Sequence, residues 1–305
     1  MIDLELTHSL DLCLHGIKTG QAFTSIDTLI QSLAQYRDLA KAEGSIDTFK
    51  NICQSHALHQ ILLEDPYTHR VFHKPRGYAG DAVMLDFMYS GQFPEGTSNI
   101  GQEVFRATTR SPNGLSVVWR RDFCAQKIDE VANLNPNAQV VSIACGHLRE
   151  AEKSKAVESG KLGGFIAFDQ DIESLAVVEA QQGTQGIKTV HGSVTQVITG
   201  KLTFPESNFT YSAGLYDYLS NRIARILTAR LFSMLAPKGK LLIANFTPDS
   251  HGRGYMEGLM DWNLIYRDER DLELLIDEID SNSSFTKEVF RDPYQNVVYL
   301  ELQKK

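Results

Sequence analysis

Along the first third of the chain, apolar residues recur at helical spacing. Residues 25–42 carry Ile26, Leu29, Ile30, Leu33, Tyr36 and Leu39 three and four apart, the stripe of a helix that buries one face. Ser25 or Asp27 suits its N-cap and Gly44 its end. Leu4, Leu6, Leu10, Leu12 and Leu14 give residues 3–15 a mixed apolar pattern, read as helix. Residues 46–64 predict another, stopped near Asp65-Pro66 because the residue before a proline avoids the helical region. Pro75, Gly77 and Gly80 make HKPRGYAGD (73–81) a loop. Asp81 can cap a helix over 82–90 that ends at Ser90-Gly91. A loop over 91–100 leads to a helix near 101–109. Ser111-Pro112-Asn113-Gly114 reads as a turn, followed by a helix over 115–133.

After Asn135-Pro136-Asn137 the period changes, and short apolar runs alternate with helical stretches. Strands are expected at 139–144, 164–169, 187–191, 209–212 and 240–245. Helices are expected at 149–159, 171–181, 220–235 and 268–280. Pro237-Lys238-Gly239 reads as a tight turn. The stretch 247–258, with three glycines and a proline, reads as mobile. The C-terminal segment is strand, turn at Asp292-Pro293, strand. This alternation predicts an α/β fold, a parallel sheet with helices on both faces. The terminal hairpin makes it a mixed sheet of seven strands.

Composition narrows the function classes. Of 305 residues, 42% are hydrophobic and 22% charged, enough for a sizeable core. Lys plus Arg number 30 against 38 Asp plus Glu, a formal charge of −8. No Lys/Arg-rich run offers a phosphate backbone a basic stripe, so nucleic acid is not the expected partner. Cys13, Cys53, Cys124 and Cys145 stand alone, without the CxxC pairing of a metal site, and are expected to be reduced and mostly buried. Asp3 and Glu5 sit where a signal peptide carries positive charge. No 18-residue apolar run occurs. These features predict a cytoplasmic protein without membrane insertion or a metal.

Open α/β sheets bind ligands beyond the carboxyl ends of their strands. After the first strand, Gly146 lets backbone approach a ligand, but the loop lacks the G-x-G-x-x-G that holds a pyrophosphate. Asp169, 23 residues beyond Gly146, ends the second strand, where a carboxylate can accept both hydroxyls of a ribose. Asp171 is the better helix cap. Ser193 and Val194 follow the third strand, where a hydroxyl or backbone N–H can meet an adenine ring. Ser212, Ala213 and Gly214 leave room after the fourth, beside the polar cluster Tyr216, Asp217 and Tyr218.

VVSIACGHLRE resembles the first motif of class I S-adenosylmethionine (SAM)-dependent methyltransferases, and GFIAFD with Asp169 resembles their second. HKPRGYAGDAVMLDFMY and YSAGLYDYL resemble, more narrowly, bacterial methyltransferases of extracellular-factor or 3-hydroxypalmitic acid methyl ester biosynthesis. The resemblance implies a helical N-terminal lid and acceptor region over 1–114 and a Rossmann-like SAM-binding domain over 115–305. It implies SAM as cofactor and a small-molecule acceptor, with carboxyl O-methylation as the leading reaction. An N- or phenol O-methyltransferase and a non-catalytic SAM-binding regulator are the alternatives.

Carried onto this chain, the cofactor would meet Ala144, Cys145, Gly146, Glu150, Asp169, Gln170, Ser193, Val194, Ser212, Ala213 and Gly214. Leu148 stands where the family has the second glycine of G-x-G, so its side chain must point away from the cofactor or the methionine end must bind differently. Arg76 suits bidentate capture of the methionine carboxylate or of an acid substrate, and Tyr78 can bond the same group; solvation and packing are their plain alternatives. A carboxylate acceptor is already ionised at pH 7, whereas an amine or phenol needs a base. Tyr78, Asp217 and Tyr218 are the catalytic candidates. His73, Arg110, Tyr216, Tyr255 and Trp262 are the acceptor candidates. Arg106, Arg120 and Arg121 lie near helices as well, facing either the acceptor or solvent. The chain is expected to be a monomer or homodimer.

Overall fold

In the computed structural model, which describes residues 2–305, the helical half opens with α1 (Ile2–Lys18) and α2 (Ala22–Ala42). The second helix starts before Ser25, with Gln21 at its cap, so neither Ser25 nor Asp27 caps it. The single helix expected over 46–64 is two, α3 (Ile46–Ser55) and α4 (Ala57–Leu62). Extended backbone at His56 divides them, and its ring accepts the Leu58 N–H. The helical stretch ends at Leu62, close to the expected stop, and Asp65-Pro66 also starts the next element. Asp65 accepts the Tyr67 and Thr68 N–H groups and Pro66 occupies the first turn of α5 (Pro66–His73), where its missing N–H has no partner to lose.

Asp81 caps α6 (Ala82–Ser90) as expected, and Gly91 ends it in the left-handed region. Next come α7 (Asn99–Thr109) and α8 (Pro112–Leu134). The turn expected at 111–114 is the first turn of α8, again with proline leading.

The second half alternates as expected: β1 (Gln139–Ile143), α9 (Lys155–Glu158), β2 (Gly164–Asp169), α10 (Ile172–Gln182), β3 (Ile187–His191), α11 (Val194–Ile198), β4 (Ser207–Ser212), α12 (Asn221–Ser233) and β5 (Leu235–Phe246). The helix predicted over 149–159 is reduced to a 3-10 turn at 151–153 and the four-residue α9. Pro237-Lys238-Gly239 is a bulge inside β5. Ser207 pairs with Leu235 but Phe209 with Lys240, and Lys238 takes φ +63° to absorb the extra residues. The chain closes with α13 (Arg253–Leu259), α14 (Glu269–Glu273), β6 (Phe285–Arg291) and β7 (Val297–Lys304).

The sheet is seven-stranded, ordered β3-β2-β1-β4-β5-β7-β6. The first five strands are parallel, and β7 runs antiparallel to both β5 and β6. This is the α/β, Rossmann-like mixed sheet expected of the class I methyltransferase fold. Val141, Ile143, Leu227, Leu241, Ile243 and Leu300 centre its core.

The chain forms two compact units. One comprises the residues up to Val118 with 249–263; the other is 119–248 with 264–305. In the first, the glycines of the stretch expected to be mobile serve close packing. A Cβ on Gly254 would stand 2.2 Å from the Leu33 backbone, and one on Gly258 would stand 2.9 Å from the Phe49 ring. Glycine here lets α13 lie against α2 and α3.

Candidate functional site: the crevice at the parallel strand ends

Chain direction across the sheet reverses between β1 and β4: the connections from β1 lead to β2 and β3 on one side, those from β4 to β5 on the other. Loops leaving neighbouring strands to opposite sides open a crevice at their carboxyl ends. Ala144, Gly146, Ala213 and Gly214 are half-exposed there, and small. Ser212 donates its hydroxyl to the Ile143 carbonyl at 3.1 Å and so belongs to the crevice wall.

Asp169 joins three of the loops. Its Oδ2 accepts the Gly146 N–H at 2.8 Å and its Oδ1 the Asp171 N–H at 2.8 Å, while its carbonyl accepts the Gly192 N–H at 3.0 Å. Burial pushes its carboxyl above the usual range, and the N–H bonds pull the other way. A carboxylate has about four lone-pair sites; the Gly146, Asp171 and Gln170 N–H groups draw on them and leave capacity for hydroxyl donors. Gln170, the next residue, is exposed, and its carbonyl is bonded to His191 Nε2 at 3.1 Å. Asp171 caps α10 as expected. Ile172, at the first position of α10 and three residues past Asp169, is 67% exposed, a large apolar side chain open to solvent. It is not among the residues expected at the site. An apolar residue directly after Asp169-Gln170-Asp171 at a strand end is the available signal.

The loop after β1 runs through the left-handed region at alternate residues: Ala144 (φ +56°), Gly146 (+54°) and Leu148 (+51°). Leu148 thus keeps the backbone course of a glycine, and its side chain is 1% exposed, enclosed by protein. Cys145 is buried, its thiol pushed far up by burial, which makes it inert. Glu150 is buried too. It accepts the Tyr211 hydroxyl at 2.6 Å, so one oxygen of the expected cofactor contact is already engaged within the protein.

Ser193 closes a capping box with Gln196 at the start of α11, an element the sequence reading left out. Its N–H and hydroxyl are both engaged there, which competes with the adenine contact expected of it. Val194 is half-exposed.

In the 216–218 turn the three candidates part company. Tyr216 is fully enclosed with its hydroxyl 3.0 Å from Thr228, a core residue and not an acceptor contact. Tyr218 is 39% exposed. Asp217 is buried, and its Oδ1 accepts the Phe246 N–H at 2.7 Å. Burial pushes its carboxyl up to about 6, although Arg120 and Arg267 pull down. Arg267 is enclosed, donating to the Tyr216 and Leu219 carbonyls and to Asn221 and Asn245, which fixes this turn to the end of β5.

Asp217 therefore stabilises the fold most when protonated, below the unfolded value near 3.8, and that contribution is lost as pH rises through about 6. Asp217→Asn keeps an oxygen for the Phe246 N–H and cannot ionise. Wild type should lose stability relative to this variant as pH rises from about 4 to about 6, with no further change above. Urea unfolding of both proteins across that window checks it.

Arg120 is one of the arginines expected to face either the acceptor or solvent. It is 4% exposed, on the stripe of α8 that carries Val117, Cys124 and Ile128. That helical phase could have revealed its burial. A Cβ on Gly214 would lie 3.7 Å from its guanidinium, so the cation sits behind the β4 loop, acting on both Glu150 and Asp217.

The remaining candidates lie in the first unit. Arg70 forks onto Asp81, with bonds of 2.8 and 3.0 Å from Nε and an ion pair of 2.8 Å from Nη2, bracketing the 73–81 loop. Lys74, just inside it, pairs with Asp261. Arg76 and Tyr78 are half-buried. His73 is exposed and stacks on His69 with ring centroids 4.1 Å apart. Arg110 is exposed at the end of α7. Tyr255 and Trp262 are buried, and the Tyr255 hydroxyl lies 3.3 Å from Thr68 Oγ1, so Tyr255 packs. Arg106 is exposed. Arg121, in the second unit, pairs with Asp122.

Among the described residues, no helix is long and apolar enough to cross a membrane, and no group of three or more His, Cys, Asp or Glu is placed to hold a metal ion. No protein-family model matches the chain, and no curated protein matches it. Solved structures do. One from Bordetella parapertussis, described as a possible exported protein, has TM-score 0.64 at 17% identity over 94% of this chain and 98% of its own. The N-methyltransferase NodS from Bradyrhizobium japonicum WM9, with S-adenosylhomocysteine, has TM-score 0.44 at 11% identity over 61% of this chain and 87% of its own. The magnesium protoporphyrin IX methyltransferase from Synechocystis PCC 6803, with the same ligand, has TM-score 0.46 at 13% identity over 73% and 98%. At these identities the likeness is one of fold.

Proposed function

We propose that the crevice of the second unit binds SAM and that the chain transfers its methyl group to a small molecule, with a carboxylate oxygen as the leading acceptor. The observation that carries this reading is Asp169: a buried carboxylate at the end of β2, bonded to the loop after β1, with acceptor capacity left for ribose hydroxyls. Ile172 and Val194 offer apolar surface for an adenine ring. The small residues at 144, 146, 213 and 214 leave room for the sulfonium. Arg120 is the cation of this unit suited to the methionine carboxylate, a role the sequence reading gives to Arg76 and Tyr78. When bound, the cofactor supplies an electrophilic methyl group; the protein's part is to hold it in line with the acceptor and to exclude water.

The carboxylate acceptor is supported by the HKPRGYAGD and YSAGLYDYL segments, which resemble the methyl ester biosynthesis proteins, and by chemistry, since an ionised acid attacks unaided. A second reading, an amine or phenol acceptor, is favoured by Asp217, whose carboxyl near 6 suits a general base.

Titration calorimetry with SAM and with NAD tests the cofactor. Binding of NAD and not SAM overturns the reading, and SAM binding without turnover on any acceptor leaves the regulatory alternative. Transfer from methyl-labelled SAM to a panel of carboxylic acids, amines and phenols tests the acceptor. A label released as methanol by mild alkali marks an ester. An alkali-stable label whose formation Asp217→Asn abolishes establishes the second reading.

A further inference from the structure

Two residues of the loop after β1 hold a conformation that side chains resist. Ala144 and Leu148 both lie in the left-handed region, at φ +56° and +51°, where a Cβ meets the following carbonyl at a cost of about 1–2 kcal/mol per residue. Such backbone persists only where its surroundings over-determine it. Several bonds hold the loop near its start. The Cys145 N–H reaches the Phe168 carbonyl at 3.0 Å, the Gly146 N–H reaches Asp169, and the Leu148 N–H reaches the Cys145 carbonyl at 2.9 Å. Gln182 donates to the Leu148 carbonyl at 3.2 Å.

At its far end one side chain reaches back to the sheet. Glu150 accepts the Tyr211 hydroxyl at 2.6 Å, and Tyr211 stands on β4 opposite Ser142 of β1, with its ring stacked on Phe209 at 5.2 Å. Both partners are buried. The hydroxyl also meets Ser142, so strand, neighbouring strand and loop end share one polar knot.

We propose that the Glu150–Tyr211 hydrogen bond is the strut that keeps residues 144–150 in their left-handed course, and that it sets cofactor affinity without touching the cofactor. Glu150 is then a positioning residue. The proposal rests on the crevice being the SAM site. The logic is preorganisation: a loop already in its bound course binds more tightly than one that must be ordered at the moment of binding.

The test uses S-adenosylhomocysteine titration together with hydrogen exchange of the 144–150 amides in the protein without ligand. Tyr211→Phe keeps the ring and its stacking and removes the hydroxyl. It is expected to weaken binding about tenfold, in line with a buried bond to a charged acceptor, and to speed exchange at 144–150. Glu150→Gln retains an acceptor oxygen and should stay within about threefold of wild type. Ala144→Gly relieves one strained position. Added to Tyr211→Phe, it should restore at least half of the lost binding free energy, which a merely destabilised core would not allow. Wild-type affinity and exchange in Tyr211→Phe overturn the proposal, and so does a loss that Ala144→Gly leaves untouched. If wild type itself fails to bind the ligand, the functional reading falls, while the exchange data still decide whether the strut holds the loop.

Discussion

Asp169→Ala is expected to weaken S-adenosylhomocysteine binding by more than about a hundredfold. Two ribose hydroxyls donating to a buried carboxylate form charge-assisted bonds worth about 1.5–3 kcal/mol each, and about 1.4 kcal/mol is a factor of ten. The substitution also strips the Gly146 and Asp171 N–H groups of their acceptor. The loops after β1 and β2 lose the link between them, and the melting temperature should fall as well. Asp169→Asn separates the two effects. It keeps one acceptor oxygen but turns an NH2 toward one of those N–H groups, so affinity should lie between alanine and wild type. Calorimetry on the three proteins, each shown to be folded by its thermal transition, gives the answer. Full affinity in the alanine variant, or a co-crystal with the nucleoside away from the end of β2, would refute the assignment.

That Asp169 could be singled out from sequence follows from what a parallel sheet does to spacing. Once β and α stretches alternate, the residues after each apolar run must lie at one edge of the sheet, whatever their side chains do. The positions of Gly146, Asp169, Ser193 and Ser212 followed from that rule. Burial did not. Tyr216, Asp217 and Tyr218 are consecutive and chemically alike to a reader of sequence, yet one is enclosed in the core, one buried on a backbone N–H, and one half out in solvent. Arg120 and Arg121 are neighbours of the same type, and both guanidinium side chains are drawn in, the first 4% exposed and the second paired with Asp122.

Punctuation by proline and glycine was ambiguous for a related reason. Pro66 and Pro112 open helices at positions where the chain also reads as ending one, because a proline suits both a stop and a first turn. Gly252, Gly254 and Gly258 read as flexibility. At two of them a neighbouring backbone or ring leaves no space for a Cβ, and tertiary packing of that kind has no local signature.

The segment that those glycines belong to carries the second large expected effect, on stability. Glu257 of α13 and Arg37 of α2 form a two-pronged ion pair, 3.0 Å from Nε to Oε2 and 2.7 Å from Nη2 to Oε1, with side chains only 7% and 8% exposed. Asp38 touches the same guanidinium at 3.0 Å and pairs in turn with Arg253. Burying two charges gains little over an apolar pair of similar shape, but removing one partner strands the other in a medium that cannot solvate it. Glu257→Ala should therefore cost about 3–5 kcal/mol, a fall in melting temperature of roughly 10 °C for a unit of this size. Asp38 remains, but it is half-exposed and contacts a single nitrogen, so it offsets only part of the loss. Arg37→Met with Glu257→Leu removes both charges and fills the space, and should unfold within about 1–2 kcal/mol of wild type. Paired denaturant unfolding of the single and double variants decides the matter. A single variant as stable as wild type would mean that water reaches the pair, and that α13 is held to α2 by the close packing at Gly254 without help from charge.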